Sequence, residues 1–230
     1  MVQGTDDANV CMILVQLHAR GFQSFECNQE WALGLNVEFL AKCIRWTDEK
    51  SSVEILCEVG GEHDDEIELI FRSPDNNSSE SSYKLLLLPI TNHNIYDITT
   101  FSSVATFCIP SSELRRICNS LSPFGKTLVI FCMPDEIRFS VMGHVGVGSI
   151  TIRKPRAPVL DEHNSVMIDC TMEVTQNLHV PYVWHIITQS MCLSENVIVT
   201  VTSEGPVIFE FKMGVLGYTR YYLAPVIDDI

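Results

Sequence analysis

The stretch PSSELRRICNSLSPFGKTLVIFCMPDEIRFSV, residues 110–141, decides the fold. Its first part predicts a helix, because a serine can cap the start and Leu114, Ile117 and Leu121 recur at helical spacing. Its second part predicts two short antiparallel strands around a tight turn near Asp135, because apolar and polar residues alternate there. The stretch is therefore one supersecondary unit of helix, strand, turn and strand.

The same order of elements occurs three times along the chain. Helical spacing also appears at residues 36–46 and 178–187, and each of these segments is followed by strand patterns. The predicted turns between paired strands fall near Gly61, Asp135 and Gly205, about 70 residues apart. A repeat of this size predicts stacked or circularised copies of one element, in a fold of the α+β class.

A long segment with weak periodicity and few charges, residues 85–104, separates the first repeat from the other two. Such a segment is typical of a connector that crosses between domains. The sequence therefore predicts an N-terminal domain over 1–88, a connector over 89–103 and a C-terminal domain over 104–230. The second domain would hold two repeats and the first domain only one.

Composition argues against several classes of protein. The 230 residues are 46% hydrophobic, which suffices for a full core, but no apolar run approaches the ~20 residues that cross a bilayer. The N-terminus carries acidic residues where a secretory signal is basic, so we expect an intracellular protein with no membrane partner. Nine cysteines, never spaced as C-x-x-C, favour neither a disulfide framework nor a zinc site.

Charge and motifs argue against broad nucleic-acid adhesion and against catalysis. A formal net charge of −14 leaves room only for a small basic face. The glycine-rich residues 143–148 lack the Lys-Ser/Thr ending of a phosphate loop, and the acidic groups at 64–66 and 161–163 are typical of solvated turns. We therefore predict no enzyme activity, no catalytic residue, no metal and no cofactor. A cysteine-dependent hydrolase is the alternative with least support.

Four segments, spread over nearly the whole chain, resemble one known family. They are residues 21–22 with 34–44 (GLNVEFLAKCI), 110–125 (PSSELRRICNSLSPFG), 139–150 (FSVMGHVGVGSI) and 212–229 (KMGVLGYTRYYLAPVIDD). In this order they resemble proliferating cell nuclear antigen, the eukaryotic DNA sliding clamp, and YYLAP is the most specific signal. The resemblance implies a DNA-clamp fold, with two similar domains, inner helices and an outer β-sheet layer.

The resemblance also implies a function. Members of the family form a ring of three subunits in the nucleus, encircle double-stranded DNA without reading its sequence, and tether DNA polymerase, nuclease and ligase clients. The clamp loader is a further partner. We therefore expect a homotrimeric processivity factor and interaction platform in DNA replication and repair.

Family domains hold two repeats each, so residues 1–88 are expected to lack their first strand–helix unit. The alternative function follows from this expectation: a clamp paralogue that closes no ring, and that binds client peptides or joins mixed trimers.

The family's inner helices carry cations that screen DNA phosphates. Lys42 and Arg45 in the first helix and Arg116 in the second match basic positions of the family, and Arg115 is a neighbour. Contacts of this kind position a ring without reading bases. The competing interpretation is that these four cations form ordinary solvated helix faces.

The family binds short client peptides in a cavity beneath the connector, where the peptide also pairs with the C-terminal segment. The matching positions come from the connector, the last hairpin and the tail: Ile95, Ile98, Pro206, Tyr222, Ala224 and Pro225. The competing interpretation is a tail that docks only to complete the core, and we expect this for Leu223.

Family trimers join an edge strand of one subunit to an edge strand of the next, so that two exposed edges satisfy each other. The implied edges are residues 81–86 and 145–153; the apolar run 85–88 would equally suit a buried strand. The interface residues that the resemblance implies are Tyr83, Leu85, Val145, Gly148 and Ile150. The family lysine that is modified with ubiquitin aligns with Pro134, so we expect no such modification here.

Overall fold

The computed structural model describes residues 1–45, 47–48, 50–57, 65–73, 80–90, 101–155 and 166–226. In chain order its strands and helices are β1 (Val2–Thr5), β2 (Cys11–Leu17), α1 (Val37–Arg45), β3 (Ser52–Leu56), β4 (Glu66–Arg72), β5 (Glu80–Leu86), β6 (Ser103–Pro110), α2 (Ser111–Leu121), β7 (Thr127–Cys132), β8 (Glu136–Gly143), β9 (Gly146–Arg153), β10 (Met167–Cys170), β11 (Val174–His179), α3 (Val180–Ser190), β12 (Asn196–Thr202), β13 (Val207–Lys212) and β14 (Gly217–Leu223). Contacts divide the chain into unit 1, which comprises Met1–Phe25 and Ile98–Ile230, and unit 2, which comprises Glu26–Asp97.

Two antiparallel sheets form unit 1. The larger has seven strands in the order β1-β2-β14-β13-β12-β6-β10, and the smaller has four in the order β11-β7-β8-β9. Every second side chain of a strand points to the same face, so the inward residues of both sheets can share one core. Phe107 of β6 and Phe139 of β8 meet in this core edge to face, with 6.0 Å between ring centroids.

Helices α2 and α3 lie side by side in unit 1 and pack their apolar faces on the same core. The buried residues of α2 include those whose helical spacing predicted the helix: Leu114, Ile117, Cys118 and Leu121. The corresponding buried residues of α3 are Val180, Val183, Ile186 and Ile187. Both helices are therefore confirmed, but the predicted start of the second was wrong: Leu178 lies in β11, and α3 begins at Val180 with Pro181 in its first turn.

The start of α2 differs from the expected serine cap. Pro110 occupies the cap position, and no side chain caps the helix there. Ser111 is buried instead, and its hydroxyl donates to the carbonyl oxygen of Ser194 at 2.9 Å while its amide donates to that of Glu195 at 2.7 Å. A tertiary contact thus replaces the local cap.

The repeat is present and gains a strand. In unit 1 the order strand, helix and three strands occurs twice, as β6-α2-β7-β8-β9 and as β11-α3-β12-β13-β14. The first strand of each copy pairs with the strand after the helix of the other copy, so β6 pairs with β12 and β11 with β7. This reciprocal pairing interlocks the two copies.

Unit 2 contains, among its described residues, one helix and one antiparallel sheet in the order β3-β4-β5. Its small core forms where Cys43 and Leu40 of α1 pack with Leu69 and Phe71 of β4. All five residues of β3 are exposed.

The second strand of the chain pairs with the last one, and β1 pairs with β2. β2 runs antiparallel to β14, from Cys11 beside Leu223 to Leu17 beside Gly217. Contacts therefore place Met1–Phe25 in unit 1. The domain ranges 1–88 and 104–230 stay a prediction, and most of the predicted connector lies outside the described residues. None of the described helices is long and apolar enough to cross a membrane.

Candidate functional site

The two cations of α1 lie on the exposed side of a helix in unit 2. Lys42 Nζ donates to Glu38 Oε1 one turn earlier at 2.7 Å and lies 4.9 Å from the centre of the Phe39 ring. The hydrogen bond from Lys42 lowers the pKa of Glu38. Arg45 is exposed in the last turn, where the helix dipole favours a cation. Both cations are exposed to solvent.

The two arginines of α2 differ in their partners. Arg116 donates to both carboxylate oxygens of Glu113, from Nε at 2.9 Å and from Nη2 at 2.6 Å. This pairing lowers the pKa of Glu113 and raises the pKa of Arg116, in each case chiefly through the hydrogen bonds. Arg115 Nη1 lies 3.4 Å from the Sδ atom of Met191, next to the end of α3. Arg115 thus lies against a thioether rather than a carboxylate.

Two grooves follow the surface of α2 and α3. One is lined by Ser112, Arg115, Arg116, Asn119, Ser120 and Met191. The other is lined by Ser122, Gly125, Lys126, Val180, Pro181, Trp184 and His185. Trp184 Nε1 donates to Asn119 Oδ1 at 2.7 Å, so one hydrogen bond joins the linings of the two grooves.

The sequence patterns predicted no site role for Lys126 or Trp184. The signal for Trp184 is its phase: it follows the buried Val183 and lies off the apolar stripe that continues at Ile186. A large aromatic residue at such a position is not used to fill the core.

The C-terminal tail docks through its backbone. After β14 has paired with β13 and β2, the amide of Ala224 donates to the carbonyl oxygen of Val10 at 2.9 Å, and that of Val226 to Asn177 at 2.7 Å. Leu223 is fully buried, as expected for a residue that completes the core. Ala224 and Pro225 remain half-buried at the surface.

The wall assigned to the peptide pocket is partly described. Tyr222 is only 5% exposed, and its ring lies 6.4 Å from that of Phe101. A side chain at Gly205 would collide with the Phe101 ring, so the hairpin turn approaches this aromatic closely. The carbonyl oxygen of Pro206 accepts the hydroxyl of Thr202 at 3.1 Å.

The other two pocket positions, Ile95 and Ile98, lie outside the described residues. Phe101, which contacts Tyr222, was not predicted from the sequence. It lies at the end of a segment without clear periodicity, so no pattern separated it from its polar neighbours.

In unit 2, the edge implied for subunit contact is β5. It pairs with β4 along its whole length and has no second partner strand among the described residues. Tyr83 is partly exposed and packs edge to face on Phe71, with 5.9 Å between ring centroids. Leu85 is half-buried against the small core of the unit.

In unit 1, the implied edge is β9, which pairs with β8 and with no other described strand. Val145 is exposed in the preceding turn, and Ile150 is half-buried. Gly148 is buried, and a side chain there would press on Leu121 and Phe124. Its lack of a side chain lets α2 and the following turn approach the strand.

Burial argues against cysteine chemistry at three positions. It raises the pKa of Cys118 and of Cys132 to about 12, and that of Cys11 to about 11. The thiolate is the nucleophilic form, so none of these three thiols is activated near neutral pH. Among the residues that the structure describes, no cluster of His, Cys, Asp and Glu could hold a metal ion.

Comparison with known families gives two matches. The family model for proliferating cell nuclear antigen, N-terminal domain, matches residues 1–93, and the model for its C-terminal domain matches residues 97–226. Together the matches cover nearly the whole chain, in the order of a clamp subunit. The mostly β structure with its three described helices agrees with an α+β clamp fold. The chain therefore belongs to the proliferating cell nuclear antigen family and has its sliding-clamp fold.

Proposed function

We propose that the protein is a homotrimeric DNA sliding clamp, which serves as a polymerase processivity factor and an interaction platform in DNA replication and repair in the nucleus. The observation that carries the proposal is the pair of family matches over residues 1–93 and 97–226. Its partners would be encircled double-stranded DNA, the clamp loader, and peptides of polymerase, nuclease and ligase clients. Its role would be to hold enzymes on DNA rather than to catalyse a reaction.

The DNA contacts would come from Lys42 and Arg45 of α1 and from Arg115 and Arg116 of α2. All four are exposed, and long flexible side chains of this kind can follow phosphates without fixing a sequence register. Few cations on a chain with a net charge of −14 should bind free duplex weakly, and salt should weaken the binding further. Retention on DNA would then be topological.

Client peptides would bind beside the tail, with Ile95 and Ile98 on one wall and Pro206, Tyr222, Ala224 and Pro225 on the other. The half-buried state of Ala224 and Pro225 supports this site, because a peptide could cover them without reopening the core. Phe101 would add an aromatic contact, since it lies against Tyr222 and remains 40% exposed. Helical-turn anchoring with strand addition is the mode expected here.

Subunits would join β5 of one copy to β9 of the next, with contacts from Tyr83, Leu85, Val145, Gly148 and Ile150. Both strands lie at the edge of their sheet among the described residues, and two edge strands can satisfy each other by pairing. Light scattering at several concentrations tests the assembly, and a stable mass of three chains is the expected result. Tyr83→Ala should lower that mass, whereas Val53→Ala, at an exposed position on β3, should leave it unchanged.

The second candidate is a clamp paralogue that closes no ring. The exposed β3 of unit 2 favours it, because no described element covers this strand and a sheet of that kind is a weak support for a ring contact. A mass of one chain at every concentration, together with retained client-peptide binding, would select this candidate over the first. Equal masses for the wild type and Tyr83→Ala would instead refute the assignment of β5 to the contact.

A further inference from the structure

The surface of α2 and α3 in unit 1 presents a fixed aromatic ring. Trp184 is 43% exposed, although most other large apolar residues of α3 are buried. Its indole N–H donates to Asn119 Oδ1 at 2.7 Å, which ties the ring on α3 to α2. An exposed tryptophan that is held in place offers a flat face at a low cost in side-chain entropy.

The two helices themselves carry a small net positive charge, and the carboxylate of Asp6 from the N-terminal segment accepts a hydrogen bond from Tyr182 of α3. α3 contains no acidic residue, and the single acidic residue of α2, Glu113, is neutralised by Arg116. Arg115 lines the groove on one side of Asn119, and Lys126 lines the groove that contains Trp184. A cation therefore lines each of the two grooves that the hydrogen bond between Trp184 and Asn119 joins, on a chain whose net charge is −14. An anionic ligand is the partner that this local charge favours.

We infer that Trp184 is a stacking platform for an unpaired nucleobase, flanked by Arg115 and Lys126 as phosphate contacts. An aromatic ring beside cations is the combination with which proteins bind single-stranded nucleic acid. A continuous duplex keeps its bases stacked inside the helix and offers Trp184 no free base face. The surface should therefore prefer DNA with unpaired bases over an intact duplex.

The inference rests on the proposed function, which brings DNA to these helices. It does not need a closed ring, because a short linear oligonucleotide can reach the surface in any assembly state. Its failure can therefore be told apart from failure of the clamp proposal, which the mass in solution tests.

The test is fluorescence anisotropy with a labelled oligothymidylate of about 20 nucleotides and with a blunt duplex of the same length, at low salt. The wild type should bind the single strand more tightly. Trp184→Ala should weaken single-strand binding about tenfold and leave duplex binding nearly unchanged, while Trp184→Phe should keep most of the affinity because phenylalanine also stacks. Trp31→Ala is the matched control, since Trp31 is 49% exposed in unit 2 and should not matter.

Arg115→Ala separates phosphate contact from stacking. It should weaken both DNA forms alike and reduce the dependence of the logarithm of affinity on the logarithm of salt concentration by about one. Equal affinities for single strand and duplex, or a loss in Trp31→Ala as large as that in Trp184→Ala, would overturn the inference.

If Trp184→Ala fails to fold, the emission of the intact protein gives the answer. Oligothymidylate should quench tryptophan fluorescence in the wild type and not in Trp184→Phe. Equal quenching in both proteins would place the base elsewhere and refute the stacking role.

Discussion

The strand that follows the helix is buried in one unit and exposed in the other. β7 follows α2 in unit 1, β3 follows α1 in unit 2, and each pairs with the next strand of its copy. The inward side chain of Ile130 on β7 is 1% exposed, whereas that of Ile55 on β3 is 56% exposed. In unit 1, β11 closes the second edge of β7 and α3 lies beside α2, while no described residue of unit 2 takes these places.

The direction in which a strand side chain points and its burial are separate properties, and a sequence pattern does not distinguish them. Alternation decides the face to which a side chain points, and Ile55 does lie on the same sheet face as Leu69, its cross-strand neighbour, which is buried. Neighbouring elements then decide whether that face loses its water. Hydrophobic stabilisation follows the apolar area removed from water, so β7 contributes far more to its unit than β3 does.

A matched pair of truncations gives the largest expected effect. Ile130→Ala should lower the free energy of unfolding of unit 1 by about 3 kcal/mol, because it leaves a cavity among fully buried neighbours. Ile55→Ala should change the stability of unit 2 by no more than about 0.5 kcal/mol, because water already reaches the side chain. Urea unfolding, with hydrogen exchange to assign each transition to its unit, measures both.

Equal losses of unfolding free energy in Ile130→Ala and Ile55→Ala would contradict the difference between β7 and β3. They would mean that another element covers β3 in solution. A loss of unfolding free energy in Ile130→Ala alone would support the burial of β7 and the exposure of β3.

Two ion pairs with the same N–O distance, one in each unit, should differ in their contribution to stability, by less than the two truncations do. Arg220 Nε and Glu210 Oε2 are 2.6 Å apart in unit 1, where both side chains are partly buried and the guanidinium also lies 4.4 Å from the centre of the Tyr218 ring. Arg72 Nη1 and Glu54 Oε2 are also 2.6 Å apart, but both side chains are exposed in unit 2. Distance alone would rank the two pairs equally.

Glu210→Gln should therefore cost about 1–2 kcal/mol of unfolding free energy, and Glu54→Gln less than about 0.5 kcal/mol. Urea unfolding in low and high salt measures the difference. Salt should remove the small effect in unit 2 and leave most of the effect in unit 1, since burial limits screening. Equal salt sensitivity would show that the pair in unit 1 is solvated.

Local patterns predicted the helices and the hairpins, because helical spacing and alternation are properties of neighbouring residues. They did not predict the partner of β2, which is β14 at the other end of the chain. Such a pairing depends on which sheet edges remain available after the other strands have paired. The sequences of β2 and β14 alone do not specify it. The serine cap of α2 failed for a similar reason, since a tertiary contact with Ser194 took the serine hydroxyl.

The candidate site was predictable to a different degree in each part. Lys42, Arg45 and Arg116 were predicted from their family positions, and their contact with DNA stays a prediction. The pairing of Arg116 with Glu113 agrees with a spacing of three residues on a helix. Trp184 could have been found from its phase in α3. Phe101 had no local signal, because its contact with Tyr222 is made by a segment without periodicity.

The smallest expected effect is the loss of stability at low pH, and it differs between the two units. In unit 1, Asp6 Oδ1 accepts the amides of Cys11 and Val10, each at 2.8 Å, and Oδ2 accepts the hydroxyl of Tyr182 on α3 at 2.8 Å. These bonds, the Cys11 amide first, lower the pKa of Asp6 below its ordinary value of 3.8. In unit 2, the pKa of Glu38 is lowered by Lys42 of its own exposed helix.

A carboxylate with a lowered pKa stabilises the fold above its unfolded pKa, and this contribution disappears as the pH falls through the folded value. Unfolding of unit 1 by urea should thus become easier below about pH 4 in the wild type and change less with pH in Asp6→Asn. Hydrogen exchange at the Val10 and Cys11 amides, which donate to Asp6, measures locally the protonation of the same carboxylate. Glu38→Gln should alter the acid response of unit 2 only at low salt, because its pair is open to solvent. If the stability of the wild type and of Asp6→Asn changed with pH in the same way, the pKa of Asp6 would be the same in the folded and unfolded states. The expected difference in acid response between the two units would then be absent.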